Sequence, residues 1–202
     1  MRRTDVVVLA LRPTSRTGSN TALSPGNPVD FPARVESPHT VRTQRLLLRP
    51  VGPEHLDDLV ALKADEAAFG LMLGGIRTPE QTDAELRADI AFWQARGFGT
   101  WAVHEGVEDA FIGIVGLMER PDGRGIALRF ALWPQVRGRG YAREAARAAL
   151  EFGHAAGLPR IVAIARETNV ASRGVLGDLG MTLAERYDHQ GHAMLMFESL
   201  RG

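Results

Sequence analysis

The chain has 202 residues, 45% hydrophobic and 24% charged, with 24 Lys+Arg against 24 Asp+Glu and no cysteine. That length supports one well-buried domain with an appendage and falls short of two. The even charge balance argues against a nucleic-acid surface or a polybasic membrane patch, and the missing cysteines exclude an acyl-thioester on the protein, cysteine metal sites and disulfides.

No apolar run approaches the ~20 residues of a membrane span. Residues 6–11 are apolar and follow Arg2 and Arg3, but the run stops at Arg12 and Pro13, too short for a secretory core. A soluble, cytoplasmic protein is expected. Lys63 is the only lysine; it falls in a predicted surface helix, which argues against Schiff-base chemistry.

Residues 1–40 read as an extension, because six of the eleven prolines lie in the first fifty positions and no apolar periodicity links them. Ordering it would need a partner surface, either a sheet edge of the same chain or a second copy, so a monomer or a homodimer is expected. Residues 41–202 form the domain. RLLLRPV at 45–51 is a strand ended by Pro50 and Pro53. Leu56, Leu59, Val60, Leu62 and Lys63 then follow at helical spacing. Phe69, Met72 and Leu73 run into the Gly74-Gly75 loop, and Thr78-Pro79 opens a second helix that reaches Gly97. Three turn-separated runs, 98–104, 110–117 and 126–133, predict an antiparallel meander. An alanine-rich helix to about 156 and the apolar strand 161–165 make a parallel crossover from the last of these. Asn169 caps a final helix, and strands 181–187 and 193–199 close the chain around the turn at 188–191.

The chemistry is expected where the third meander strand breaks into LWPQVRGRGYA, residues 132–142. Gly138 and Gly140 carry no Cβ to hold a ligand off the backbone, the following helix offers unpaired N–H groups and a positive dipole end, and Arg137 and Arg139 add charge. A phosphate-type anion suits such a turn. His189 and His192 bracket a hairpin with too little carboxylate support for a metal site.

Q-x-x-G-x-G at 135–140, followed one strand later by NVASRGVLGDLGM at 169–181, resembles the GCN5-related N-acetyltransferase (GNAT) family, in particular its ribosomal-protein N-terminal acetyltransferase-like branch. TQRLLLRPV, FGTWAV and FIGIVGL fall in register with that branch, so the resemblance spans about residues 43–200. It implies an α/β fold: a mixed sheet of about seven strands, splayed between the fourth and fifth, with four main helices. It implies an enzyme that moves an acetyl group from acetyl-CoA, without a metal, directly to a primary amine on a small molecule or a protein N-terminus. Leu132 and Trp133 would meet the pantetheine arm through their backbone, and Arg137, Gly138, Arg139, Gly140, Tyr141 and Ala142 would cradle the pyrophosphate.

By the same resemblance Asn169 would bond the pantetheine arm, a role compatible with capping its helix. Ser172 would stand beside the leaving thiolate, either donating a proton or only a hydrogen bond, and the tyrosine that other members place four positions later is Leu176. The branch usually carries a glutamate where this chain has Ala127, and a glycine is common where it has Arg129. With that base missing, water relayed to Glu119, Glu167 or His104 is the remaining route, and a non-catalytic acyl-CoA-binding module is the alternative reading. Phe69, Met72, Leu73, Trp93 and Phe98 are candidates both for an acceptor pocket and for core. Arg129 is a candidate either to attract an acceptor carboxylate or phosphate or to form an internal salt bridge.

Overall fold

The computed structural model describes residues 37–106 and 109–202; the apolar run at 6–11 and most of the expected extension lie outside the described residues. Residues 37–40 pack on the domain: His39 stacks on Trp93 with ring centroids 5.2 Å apart, and its carbonyl accepts from Trp101 Nε1 at 2.9 Å.

The elements run β1 (Val41–Arg42), β2 (Leu46–Pro50), α1 (Leu56–Ala64), α2 (Glu66–Phe69), α3 (Pro79–Arg96), β3 (Thr100–Glu105), β4 (Ala110–Glu119), β5 (Ile126–Leu132), α4 (Tyr141–Ala155), β6 (Arg160–Arg166), α5 (Val170–Asp178), β7 (Thr182–His189) and β8 (His192–Leu200). One eight-stranded sheet has the order β1-β2-β3-β4-β5-β6-β8-β7. Among the described residues only β5 and β6 pair in parallel. The strand beyond the seven expected is β1, two residues too short to carry a period. The extra helix is α2, a single turn opened by the Asp65 carboxylate, which accepts from Ala68 N–H at 2.7 Å.

Local signals explain the main boundaries. Thr78 and Gln81 form a reciprocal capping box at the start of α3, with Pro79 at its first position, and Gly97 ends it at φ 71. The β7–β8 turn is tighter than the four residues expected. His189 pairs with His192, leaving a two-residue turn in which Gln190 and Gly191 both have positive φ, the geometry that matches strand twist.

Two features position the site. First, β5 stays paired with β4 as far as Leu132 with Gly113, but with β6 it shares one register pair, Ala127 with Val162. The sheet therefore opens beyond Ala127, which is the splay expected between the fourth and fifth predicted strands. Second, α4 lies close against the sheet. Ala145, Ala146 and Ala149 are fully buried, and a Cβ on Gly153 would come within 2.6 Å of Leu117 and 2.7 Å of Ile161. The start of α4 is thereby held at the mouth of the opening.

The placement of Lys63 corrects the expectation of a surface lysine. It is 1% exposed, and its Nζ donates to Glu85 Oε2 at 2.7 Å. Burial pushes its ammonium below the usual lysine range, against the pull of Glu85. Helical spacing places the stem on the inward face of α1, and its partner comes from α3, 22 residues later, beyond any local signal. Among the described residues no helix is long and apolar enough to cross a membrane.

Candidate active site

Two cavities follow the opening between β5 and β6. The outer one, about 450 Å³, lies between the start of α4, the end of β5, α2 and the first turn of α5. Gly138 (φ 76) and Gly140 (φ 79) line it in the left-handed conformation, and no atom lies within 4 Å of where a Gly138 Cβ would stand. Gly140 caps α4 without a side-chain bond, and the first helical bond of α4 runs from Glu144 N–H to Gly140 O at 3.1 Å. The amides ahead of Glu144 thus have no intrahelical acceptor. An open glycine turn, free N–H groups and a helix dipole fit a diphosphate. Along the side of β5 that faces β6, the backbone beyond Ala127 carries no strand partner, which suits an extended amide-bearing chain.

Of the residues expected around this anion and its arm, Leu132, Arg137, Gly138, Gly140, Ala142, Asn169 and Ser172 all line the outer cavity. Arg137 also donates across its mouth to the Ala67 carbonyl in α2. Asn169 Oδ1 accepts from Ser172 N–H at 3.1 Å, so the asparagine caps α5 while its amide nitrogen has no partner among the described residues.

Three others are not brought there as side chains. Arg139 bonds Glu105 at 2.6 Å, and the Tyr141 hydroxyl donates to the same carboxylate. That bond holds the Glu105 carboxyl below its usual range and the phenol above its own. The Tyr141 ring lies between the guanidinium groups of Arg45 and Arg139, 4.6 and 4.7 Å from its centroid. Arg139 and Tyr141 therefore face β3, which leaves only their backbone for a ligand. Trp133 N–H is spent on Ile112 O at 3.0 Å.

The inner cavity, about 340 Å³, lies deeper in the opening and shares Leu71, Met72, Phe130, Asn169 and Ser172 with the outer one. The two meet at those residues. Of the acceptor-pocket candidates, Phe69, Met72, Leu73 and Arg129 line it, and Trp93 and Phe98 do not. Trp93 belongs to an aromatic core with Trp101 and Phe152, its Nε1 donating to Thr100 O at 2.7 Å, and Phe98 packs on Phe92. Arg129 takes the internal alternative. It bonds Asp89 at 2.9 Å and Thr100 Oγ1 at 2.9 Å, so its charge is already matched.

Ala127 lines this cavity where a base was expected. Of the substitutes, only Glu119 is on the wall. Glu167 pairs with Arg186 at 2.7 Å, and His104 is buried beside His55 with Nδ1 against Asp109 O at 3.0 Å. Among the described residues no group of three His, Cys, Asp or Glu is placed to hold a metal ion.

The profile of the acetyltransferase (GNAT) domain matches residues 45–182, more than half of the chain. The chain is a GNAT acetyltransferase. It is 26% identical over 164 residues to the FsC-acetyl coenzyme A-N(2)-transacetylase of Aspergillus fumigatus, covering 76% of this chain and 69% of that protein. Its structure superposes on a GNAT-family acetyltransferase from Bordetella pertussis with TM-score 0.69 and 27% identity, over 79% of this chain and 98% of the other. It also shares the fold of a ribosomal L7/L12 alpha-N-protein acetyltransferase in complex with coenzyme A, at TM-score 0.65 and 19% identity over 78% and 95% of the two chains.

Against this GNAT frame, the charged lining residues that sequence reasoning missed sit in the first turn of α4, at a strand end and in loops. Arg143 lines the outer cavity, and Arg77, Arg120 and Arg166 line the inner one. Helical spacing from Gly140 reaches Arg143. Nothing local to Arg77, Arg120 or Arg166 marks them.

Proposed function

We propose that this GNAT chain transfers the acetyl group of acetyl-CoA directly to a primary amine, with the outer cavity as the donor site and the inner cavity as the acceptor site. The observation that carries the reading is that the two cavities meet at Asn169 and Ser172, beyond the one point where β5 and β6 pair. A complex of a structural neighbour with coenzyme A supports the donor assignment. The thioester supplies the acyl group when bound.

The chain's own residues do the rest. The amides of Gly138 to Ala142 hold the pyrophosphate, and Arg137 closes the mouth. The free edge of β5 near Leu132 and the amide of Asn169 align the arm. A strand N–H polarises the thioester carbonyl, the amine nitrogen bonds to the acyl carbon, and the C–S bond breaks. The acceptor ammonium gives one proton to water before attack, the neutral amine is the nucleophile, and its second proton passes to the departing thiolate, which the Ser172 hydroxyl, without a partner among the described residues, meets with a hydrogen bond. With Ala127 on the wall, no carboxylate takes the first proton at this position. An α-amino group, with an ordinary pKa of about 8, needs only modest help.

The test is thiol release from acetyl-CoA with a panel of small amines and peptides, beside melting curves with acetyl-CoA. Turnover with any amine, and a Ser172→Ala variant whose kcat falls by roughly 10- to 100-fold at unchanged KM for acetyl-CoA, supports the reading. Thermal stabilisation by acetyl-CoA with no release above background means a binding module instead.

A further inference from the structure

Four arginines and one glutamate are the charged residues around the inner cavity: Arg77, Arg120, Arg129, Arg166 and Glu119. Three of the arginines are already matched within the fold. Arg77 pairs with Glu85, Arg120 with Asp122 and Arg129 with Asp89. Glu119 faces Arg96 at 3.8 Å. The side chain of Arg166 makes no hydrogen bond or ion pair among the described residues, although the residue is half-buried. Its unpaired donors are not buried, so they stand open to solvent and to a ligand that enters the cavity; the one buried unpartnered arginine nitrogen on this wall is Arg129 Nε, whose guanidinium is already held by Asp89.

Its position ties it to the reaction centre. Arg166 ends β6, on the same face as Val162 and Ile164. Its carbonyl accepts from Asn169 N–H at 2.9 Å, so it stands one tight turn before the residues where the two cavities join. The charges around it do not cancel it. Glu85 serves both Lys63 and Arg77, and the adjacent Glu167 is taken by Arg186. Ala127, on the opposite side of the opening, brings no carboxylate. The wall between is apolar, with Phe69, Met72, Met118 and Met194.

From this arrangement we infer that Arg166 selects acceptors carrying a carboxylate near the amine, on a small molecule with an apolar body. This rests on the proposed function above. One free guanidinium presents one fork, which matches a carboxylate through two parallel bonds. A cavity of about 340 Å³ lies at the small end of the range for ligand sites and suits a molecule of amino-acid size. The carboxylate on Arg166 and the amine at Asn169 and Ser172 then lie on a single short molecule.

The test compares kcat/KM for paired acceptors, each carboxylate against its carboxamide and its phosphonate, with rates referred to the unprotonated amine. Wild-type protein is expected to prefer the carboxylate by roughly 10- to 100-fold, the worth of a pair of charge-assisted hydrogen bonds. Arg166→Gln removes that preference by raising KM for the carboxylate, leaves the carboxamide rate and the KM for acetyl-CoA unchanged, and Arg166→Lys restores part of it. Arg87→Gln, which changes an exposed arginine on α3, keeps the preference.

Equal rates for carboxylate and carboxamide in the wild type, a phosphonate preferred over both, or an equal loss for all acceptors in Arg166→Gln would overturn the inference. So would peptides outrunning every small acceptor. Absence of turnover with every amine, despite stabilisation by acetyl-CoA, marks failure of the transferase reading itself, and this inference falls with it.

Discussion

Around the outer cavity the groups that face a ligand belong mainly to the backbone: two left-handed glycines, the unbonded amides before Glu144, and the free edge of β5. Around the inner cavity they are side chains brought from α2, the loop before α3, β4, β5, β6 and β8. Even the two arginines expected at the anion divide along this line, since Arg139 turns away to Glu105 and leaves its amide behind. A common donor can be held by main-chain groups that survive side-chain change. Acceptor choice would have to be written in side chains, and on the inner wall three of the four arginines are already paired, which leaves Arg166.

The largest effect expected breaks the inner side alone. Asp89 is 7% exposed and bonds Arg129 at 2.9 and 3.1 Å. Asp89→Ala strands a mostly buried guanidinium, at a cost of about 3 kcal/mol in denaturant unfolding. The acceptor KM should change severalfold, while acetyl-CoA stabilises the variant by as many degrees as the wild type. A loss of that stabilisation would mean that the two cavities are not separable.

The converse change acts on the outer side. Gly140 sits at φ 79, with only Arg45 Nη2 at 3.5 Å from where its Cβ would be. Gly140→Ala therefore meets little crowding but must hold a left-handed conformation, costing about 1–2 kcal/mol. The KM for acetyl-CoA should rise about tenfold, and the ratio of rates between acceptors should stay as it is. A shift in that ratio would show that the glycine turn also shapes the acceptor side.

The same division explains what could be read from the chain. A glycine turn before a helix and an asparagine before another are local patterns with local causes, so the turn at 138–140 and the cap at Asn169 were legible, while the opening between β5 and β6 was expected only from the family resemblance. Direction of side chains was not. Tyr141 faces Glu105, 36 residues earlier, and Lys63 goes inward because Glu85 is there to meet it. Trp93 reads equally as core or pocket on a helix face, and only the stacking of His39 and the edge-on packing of Trp101 against it decide for core. Arg166 lies in an apolar strand whose pattern marks burial and gives no sign of which cations are already paired.

The smallest effect concerns acid, and it tests whether the outer side has a side-chain anchor after all. Glu144, in the first turn of α4, accepts from Thr43 Oγ1 at 2.6 Å, Arg45 N–H at 2.9 Å and Arg45 Nε at 2.7 Å. Burial works to raise its carboxyl, and the bonds from Thr43 and Arg45 outweigh it, so the folded value lies below the ordinary 4.5. A carboxyl depressed by folding contributes stability that is whole above 4.5 and disappears as pH falls through the folded value, because the unfolded chain takes up its proton first. Unfolding free energy measured from pH 6 to pH 3 should therefore fall more steeply in the wild type than in Glu144→Gln, by about 1 kcal/mol. Glu85, also depressed by Lys63 and Arg77 against its burial, keeps a residual acid slope in the variant. Parallel slopes would show that Glu144 does not hold the start of α4, and that the backbone cradle is positioned by the alanine face against the sheet alone.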